Sequence, residues 1–483
     1  MASLFAIALL TACPPPVGKE DPEAEVRQEL IDELDANLRD RSLWLLPSPP
    51  EDGDWSAFPQ AASNPLTDAK VALGRALFYD PGLAGDPESL AFRQISCGTC
   101  HDPDAGFGSG QVPGRGLGWG GEGRGQGRRL VAELDLNDAD FSLLNDLRVV
   151  NQAWTAEVAG WIGGFDPAHG IYPPQLELYD GVEGLELFIE SALLVHGFFP
   201  TTNALVPPGS VIEEEVYAEL VAAAFPEIEP GERMTRRQVA LALAAYVRSI
   251  VTDEAPFQEF LRLDPGAHPD EVPLSDAALR GAILVFGDAR CVACHAGPTL
   301  ASDTARNVGM RTFDYDTEIP GYLLEDPQGE SGWGTVAQYY SFEAENLGRY
   351  RLTDDPADLG AYVAPTLYGA GAPNVANYGH GAALHSLEEV IRHFTLGPDP
   401  DQNPSLDPAI ASNLDPVLFG DAPLTLSSEE IADIVTFIEE GLTDPTLADD
   451  HRPAPLSLGG YCARTNDPLS QLETPGCEYA RDP

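Results

Sequence analysis

Apolar residues recur at helical spacing in several stretches of the chain. The clearest is 235–251, where Val239, Leu243 and Tyr246 fall on one face. Similar patterns cover 23–40, 64–78, 184–195, 212–224, 275–286 and 431–442. Ser386 and Ser427 are each followed three residues later by Glu, which predicts a capping box at two helix starts. Few segments alternate between apolar and polar positions, so the sequence predicts a mainly α fold.

One helical pattern occurs twice, each time shortly before a cysteine pair. The pattern at 69–78 is loosely repeated at 276–286, and a proline-containing acidic segment at 253–273 is predicted to be the hinge between the halves. The predicted domains are 44–255 and 256–450, preceded by an acidic tether and surface helix at 14–43. The sequence therefore predicts a duplicated architecture of two cytochrome c-like domains.

Both predicted domains carry a Cys-x-x-Cys-His motif. The motif residues are Cys97, Cys100 and His101 in the first copy and Cys291, Cys294 and His295 in the second. The two cysteines of such a motif form thioethers to a haem, and the histidine binds its iron. Zinc binding and thiol–disulfide exchange are the alternatives, but the pairs lie 194 positions apart and no βαβ pattern accompanies them. The motifs predict two covalent c-type haems.

The charge balance restricts the partners. The chain has 27 Lys and Arg against 77 Asp and Glu, a formal net charge of −50. Nucleic acid and anionic membrane surfaces are therefore excluded as partners. The acidic surface either steers a neutral or basic electron donor or serves solubility alone.

The two ends of the chain predict export. Residues 1–13 resemble a lipoprotein signal peptide with a lipobox, in which Cys13 is the lipidation site. This predicts a periplasmic protein anchored to the outer membrane through Cys13. Cys462 and Cys477 in the tail, 451–483, are predicted to form a disulfide, which an oxidising periplasm permits.

An ordered set of motifs resembles the bacterial di-haem cytochrome c peroxidase family, which includes MauG. The matching stretches are AKVALGRALFYD at 69–80, SCGTCH at 96–101, GF at 106–107, NVG at 307–309, GAYVAPTL at 360–367, YGH at 378–380 and SLEEV at 386–390. The resemblance implies that His101 binds the iron that reacts with peroxide and that His295 binds an electron-reservoir haem. Some members close the first iron with a distal histidine; Leu117 stands at that position, and 102–168 contains no histidine. The first haem is therefore predicted to be open.

The resemblance gives further site residues less directly. In the family the second haem has a Met or Tyr as its sixth ligand, and the corresponding position here is Phe394. His393, or else His385, is the predicted substitute. After the signal peptide the chain contains two methionines, Met234 and Met310. The predicted catalytic acid/base is Glu186, with Glu177 and Glu190 as competitors. Trp154 and Trp161 are either core residues or electron relays. The resemblance also implies a calcium ion near Val375 and Asn377.

Taken together, these features predict an enzyme that reduces hydrogen peroxide with electrons from a periplasmic donor such as a cytochrome c. One alternative is a MauG-like enzyme that oxidises Trp or Tyr of a partner protein. The other is a di-haem electron carrier without enzymatic activity, in which both irons would be six-coordinate.

Overall fold

The computed structural model describes residues 22–80, 83, 95–111, 121–122, 129–130, 144–155, 184–195, 215–229, 231–311, 347–408, 410–419 and 424–451. The helices in these ranges are α1 Pro22–Leu38, α2 Asp68–Tyr79, α3 Cys97–Cys100, α4 Gly184–Val195, α5 Glu215–Ala224, α6 Arg236–Ser249, α7 Pro256–Arg262, α8 Asp276–Phe286, α9 Tyr350–Thr353, α10 Leu387–Thr395, α11 Pro416–Phe419, α12 Ser428–Thr436 and α13 Leu447–Asp450.

Strands are short in the described parts of the chain. β1 (Gly121–Glu122) pairs antiparallel with β2 (Arg129–Leu130), and β3 (Ala305–Arg306) pairs antiparallel with β4 (Tyr362–Val363). In the second pair Ala305 lies opposite Val363. The mainly helical fold class is thus confirmed. Each described helix is too short or too polar to cross a membrane.

Side chains that accept backbone hydrogen bonds set the starts of the main helices. Thr67 accepts from the Lys70 N–H at 3.2 Å, and Ser275 accepts from the Ala278 N–H at 3.1 Å. The box predicted at Ser427 is complete, because Glu430 accepts in return from the Ser427 N–H. The box predicted at Ser386 has one of its two hydrogen bonds, from the Glu389 N–H to the Ser386 hydroxyl. The Glu389 carboxylate accepts from the His385 N–H instead of the Ser386 N–H.

The same helix crossing occurs twice. α2 packs across α6, and α8 packs across α12. At each crossing a glycine lets two backbones touch: a Cβ on Gly74 would lie 2.0 Å from the Ala242 carbonyl oxygen, and one on Gly281 would lie 2.0 Å from that of Asp433. The helix that precedes each cysteine motif is therefore held by an equivalent contact, in agreement with the repeat in the sequence.

Two segments pack more closely than the sequence predicts. The predicted hinge contains α7, whose Phe257 and Phe260 are completely buried, so this segment is not an exposed linker. The predicted surface helix is α1, which packs on α8, and its Arg27 donates to the backbone carbonyls of Val272 and Leu274. One apolar cluster includes residues from both halves, and the division into domains stays a prediction.

Replacing Gly281 by Ala is expected to destabilise the fold. The new Cβ would overlap the Asp433 carbonyl, and backbone atoms cannot move aside without shifting α8 from α12, so we expect a loss of about 3 kcal/mol in the free energy of unfolding. Denaturant unfolding measures this loss. Gly266→Ala is the control, because its Cβ would meet no atom within 4 Å; equal stability of the two variants would contradict the close contact.

Candidate functional site

The first cysteine motif forms one helical turn. The His101 N–H donates to the Cys97 carbonyl at 2.9 Å, and the three-residue spacing places Cys97 and Cys100 on one side of the turn. Nδ1 of His101 lies 3.3 Å from the Phe107 carbonyl oxygen. A carbonyl only accepts, so Nδ1 carries the proton and Nε2 keeps its lone pair for a metal.

The second motif repeats this arrangement. The His295 N–H donates to the Cys291 carbonyl at 2.8 Å, and Nδ1 of His295 donates to the Leu300 carbonyl at 3.1 Å. Burial lowers the pKa of His295 to about 4, so its ring is neutral, as a metal ligand must be. Both carbonyls belong to non-glycine residues in the left-handed region, Phe107 at φ 59° and Leu300 at φ 47°. Such strained backbone often marks functional sites.

A large apolar cavity lies around His295, Cys291 and Cys294. Its empty volume is about 1430 Å³, a figure that includes space open to solvent. The apolar residues that line it include Val285, Ala289, Leu367, Val390, Ile391, Phe394, Ile434 and Ile438. This apolar lining, with two cysteines and a histidine on the cavity wall, fits a porphyrin.

Two arginines on the cavity wall fit the acidic edge of a haem. Within the described part of the chain, the Nε atoms of Arg148 and Arg306 are buried without a hydrogen-bond partner. Burial lowers the pKa of Arg148 to about 10, so it still carries its charge at neutral pH. A guanidinium is well suited to a carboxylate, and haem has two propionate groups. These arginines were missed by the sequence analysis, because nothing in the local pattern distinguishes them from surface arginines.

A chain of hydrogen bonds connects the two motif histidines. The Phe107 carbonyl, which accepts from His101, also accepts from the Val149 N–H at 3.2 Å. The neighbouring Arg148 donates through Nη2 to the Thr366 carbonyl at 3.0 Å. The next residue, Leu367, donates its N–H at 3.2 Å to the Leu300 carbonyl, which accepts from His295. Arg148 is thus the side-chain link between the two motifs.

His393 lies outside the cavity wall in this structure. Its Nε2 donates to the Val308 carbonyl at 2.7 Å, and Nδ1 lies 2.9 Å from Ser405 Oγ. Phe394, the next residue, lines the cavity instead. This geometry offers no nitrogen of His393 to an iron, and its role as a sixth ligand stays a prediction that the structure does not favour.

The other candidates for a sixth ligand differ in whether they line the cavity. Nδ1 of His385 lies 2.8 Å from Asn377 Oδ1. Met310 lines the cavity, and Met234 packs in the apolar core. Met310 is thus the potential sulfur ligand that the structure brings to the cavity of His295.

Glu186 is held by one arginine and one side-chain amide. Both carboxylate oxygens accept from Arg248, and Oε1 also accepts from Asn64 Nδ2 at 3.1 Å. The carboxylate and the guanidinium are almost completely buried. Glu190, its competitor, pairs with Arg236 at 3.2 Å. These contacts join α4 to α6, so Glu186 has a structural role whatever its catalytic one.

Breaking this ion pair is expected to weaken the fold. Glu186→Gln leaves the Arg248 charge buried without its partner, and we expect a loss of about 3–5 kcal/mol in the free energy of unfolding. Glu219→Gln, on an exposed position of α5, is the control. The rate of the reaction with peroxide, measured on folded protein, separately tests the predicted acid/base role: an unchanged rate would contradict that role, and unchanged stability would contradict the clamp.

Several predicted features lie outside the described residues. They are Cys13, Leu117, Trp161, Glu177 and the cysteines 462 and 477. The lipid anchor, the disulfide and the open face of the first haem therefore stay predictions. Among the described residues no group of three or more His, Cys, Asp or Glu side chains could hold a metal ion. A calcium site built from backbone carbonyls near Asn377 stays a prediction too.

Comparison with known proteins identifies related chains. Residues 68–265 match a family model described as "Di-haem cytochrome c peroxidase". The chain is 27% identical over 393 residues to cytochrome-c peroxidase IdrP1 of Denitromonas iodatirespirans, covering 81% of this chain and 86% of that protein. It is 26% identical over 388 residues to the methylamine utilization protein MauG of Methylorubrum extorquens, covering 80% and 82%.

A solved structure shares the fold. It is described as a MauG-like protein associated with microbial copper homeostasis, has 21% sequence identity to this chain and superposes with a TM-score of 0.52. The match covers 84% of this chain and 96% of the other. The family resemblance drawn from the sequence motifs is confirmed by these comparisons.

Proposed function

We propose that this chain, a member of the di-haem cytochrome c peroxidase family, holds two covalent haems and reduces hydrogen peroxide with electrons from a periplasmic donor such as a cytochrome c. The observation that carries the proposal is the repeated motif geometry. Each motif histidine donates through Nδ1 to a nearby carbonyl, which is the contact that typically orients a metal-binding imidazole. The apolar cavity around Cys291, Cys294 and His295 supports it.

The residues that would hold the haems follow from this geometry. The six motif residues would provide the thioethers and proximal ligands, in the first copy Cys97, Cys100 and His101 and in the second Cys291, Cys294 and His295. When bound, the haems supply the electron-transfer chemistry of peroxide reduction. Arg148 would neutralise a propionate at the second site, and Arg306, whose Nη1 donates to Asp415 at 2.7 Å, would donate to one through Nε. The hydrogen-bonded chain through Arg148 would link the two proximal ligands.

Arg148 is expected to raise the reduction potential of the second haem. A buried positive charge favours the reduced, less positive form, so Arg148→Met should lower the midpoint potential by on the order of 60 mV, a tenfold change for a one-electron couple. A spectroscopic redox titration measures the shift. Arg392→Met is the control, since Arg392 is 41% exposed on α10; an equal shift in both variants, or a rise, would contradict the role of Arg148.

Steady-state kinetics test the activity. Peroxide consumption should depend on added reduced cytochrome c, and the cytochrome should be oxidised in a ratio of two electrons per peroxide. If peroxide reacts but the cytochrome is not oxidised, the second candidate function is favoured, in which Trp or Tyr of a partner protein is the donor. Phe394 supports this second candidate, because a side chain that cannot bind iron stands on the cavity wall where a ligand was expected.

The proposed protein is exported and has two cytochrome c-like domains. The lipobox-like sequence ending at Cys13 supports export and a lipid anchor in the outer membrane. Cell fractionation tests this: Cys13→Ala should release the protein from the membrane fraction. The two equivalent helix crossings support two cytochrome c-like domains.

A further inference from the structure

Two buried tyrosines and a histidine form a hydrogen-bonded line beside the first cysteine motif. The hydroxyl oxygens of Tyr79 and Tyr246 lie 3.2 Å apart, and the Tyr246 hydroxyl lies 3.3 Å from Nδ1 of His451. Tyr79 is 5% exposed and Tyr246 is 1% exposed, whereas His451 is partly exposed. The line therefore leads from the core to a position near the surface.

This line contacts the first motif at both ends. The Tyr79 ring packs on Gly98, between the two motif cysteines, so tightly that a Cβ there would lie 2.6 Å from Tyr79 Cδ1. At the other end, the His451 ring meets the Phe107 ring edge-on, with centroids 5.6 Å apart. Phe107 is the residue whose carbonyl accepts from His101. Tyr79 thus packs directly on the first motif, and Tyr246 is linked through His451 to the residue whose carbonyl accepts from His101.

The environment of the hydroxyls suits electron loss coupled to proton loss. Burial raises the pKa of Tyr79 and Tyr246, so both phenols stay protonated. A phenol that loses an electron becomes a strong acid and needs an acceptor for its proton. Burial lowers the pKa of His451 to about 4, so its ring is neutral and, with the proton on Nε2, Nδ1 can accept.

Packing alone does not require these polar groups. A buried hydroxyl must be hydrogen-bonded to avoid a cost that phenylalanine would not incur. Here the second hydroxyl satisfies the first, and the histidine satisfies the second. The arrangement is a continuous proton path rather than an isolated buried contact.

We propose that Tyr246, assisted by Tyr79 and His451, is a redox-active tyrosine that stores one oxidising equivalent from peroxide. The inference rests on the proposed function. Tyr246 gives one electron to the first haem after peroxide has oxidised that haem, its O–H bond breaks, and the proton bonds to Nδ1 of His451. One hydrogen peroxide takes two electrons and two protons to become two waters: Tyr246 would supply one electron, the second haem, when bound, would supply the other, and the protons would come from solvent. A one-electron donor later reduces the tyrosyl radical, and His451 returns the proton.

Freeze-quench electron paramagnetic resonance of the holoprotein mixed with one equivalent of peroxide tests the proposal. We expect a radical signal that narrows when the protein contains ring-deuterated tyrosine. Tyr246→Phe should remove the signal, and His451→Gln should slow its formation by about 100-fold, the low end of a proton acceptor's usual contribution. Tyr368→Phe is the matched control: Tyr368 is fully buried, and Gln258 Nε2 donates to its hydroxyl at 2.5 Å.

The optical spectrum recorded in the same experiment separates two kinds of failure. If peroxide changes the haem spectrum but no tyrosyl signal forms, or if the signal survives in Tyr246→Phe, the redox-active site is refuted and the peroxidase function stands. If peroxide leaves the spectrum unchanged, both are refuted. If Tyr246→Phe does not fold, two other measurements test the proposal: the narrowing of the signal by deuterated tyrosine and the rate at which the radical forms in His451→Gln. An unchanged rate of radical formation in His451→Gln would overturn the proposal.

Discussion

Replacing His101 by Gly is expected to abolish peroxide turnover while the second haem stays bound and reducible. His101 is the proposed ligand of the iron that reacts with peroxide, and its Nδ1 contact with Phe107 fixes the ring for that role. Loss of an outer-shell partner alone costs about 10–100-fold in activity at metal sites, so loss of the ligand should cost more than about 100-fold. Stopped-flow mixing with peroxide and steady-state turnover measure the effect.

His268→Gly serves as the control for this substitution. His268 is 60% exposed and belongs to neither motif, so its variant should react with peroxide at the rate of the unchanged protein. If His101→Gly kept its rate while His295→Gly lost it, the roles of the two haems would be reversed from those proposed here.

Cys291→Ala combined with Cys294→Ala is expected to lower the haem content from two covalent groups per chain to one. Without Cys291 and Cys294, nothing on the cavity wall can form a thioether among the lining residues described. The first haem should still react once with peroxide. Steady turnover should fall by more than about 100-fold, because the second haem is no longer attached to the chain beside its ligand His295. Haem absorbance in denaturing gels and the intact mass measure the content.

The corresponding variant of the first motif provides the matched comparison for this prediction. Cys97→Ala with Cys100→Ala should also leave one haem per chain, but it should remove the initial reaction with peroxide as well as the turnover. Two covalent haems remaining in either double variant would contradict the assignment of the motifs.

Much of the fold follows from local sequence patterns. The 3.6-residue period and the capping side chains Thr67, Ser275 and Ser427 act over a few residues, and the corresponding helices are present. The segment 253–273 was harder to predict, because its prolines indicate a linker while Pro256 in fact starts α7, as proline often does at a first helical turn. The docking of α1 on α8 joins residues about 250 positions apart, which no local pattern records.

The candidate site was predictable only in part. The cysteines and histidines that we propose as haem thioether residues and proximal ligands form a short motif, which the sequence shows directly. His393 and Phe394 differ by one position, but on a helix one position changes the direction of a side chain by about 100°, so Phe394 faces the cavity and His393 does not. The partner of Glu186 lies 62 positions away at Arg248, and the chain through Arg148 also joins distant segments.

The most direct test of the account is an electron paramagnetic resonance spectrum of the fully oxidised protein, recorded together with its haem content. We expect two covalent haems per chain and a high-spin ferric signal from the first, because residues 102–168 contain no histidine that could close its distal face. Fewer than two haems, or two low-spin haems with no high-spin component, would contradict it.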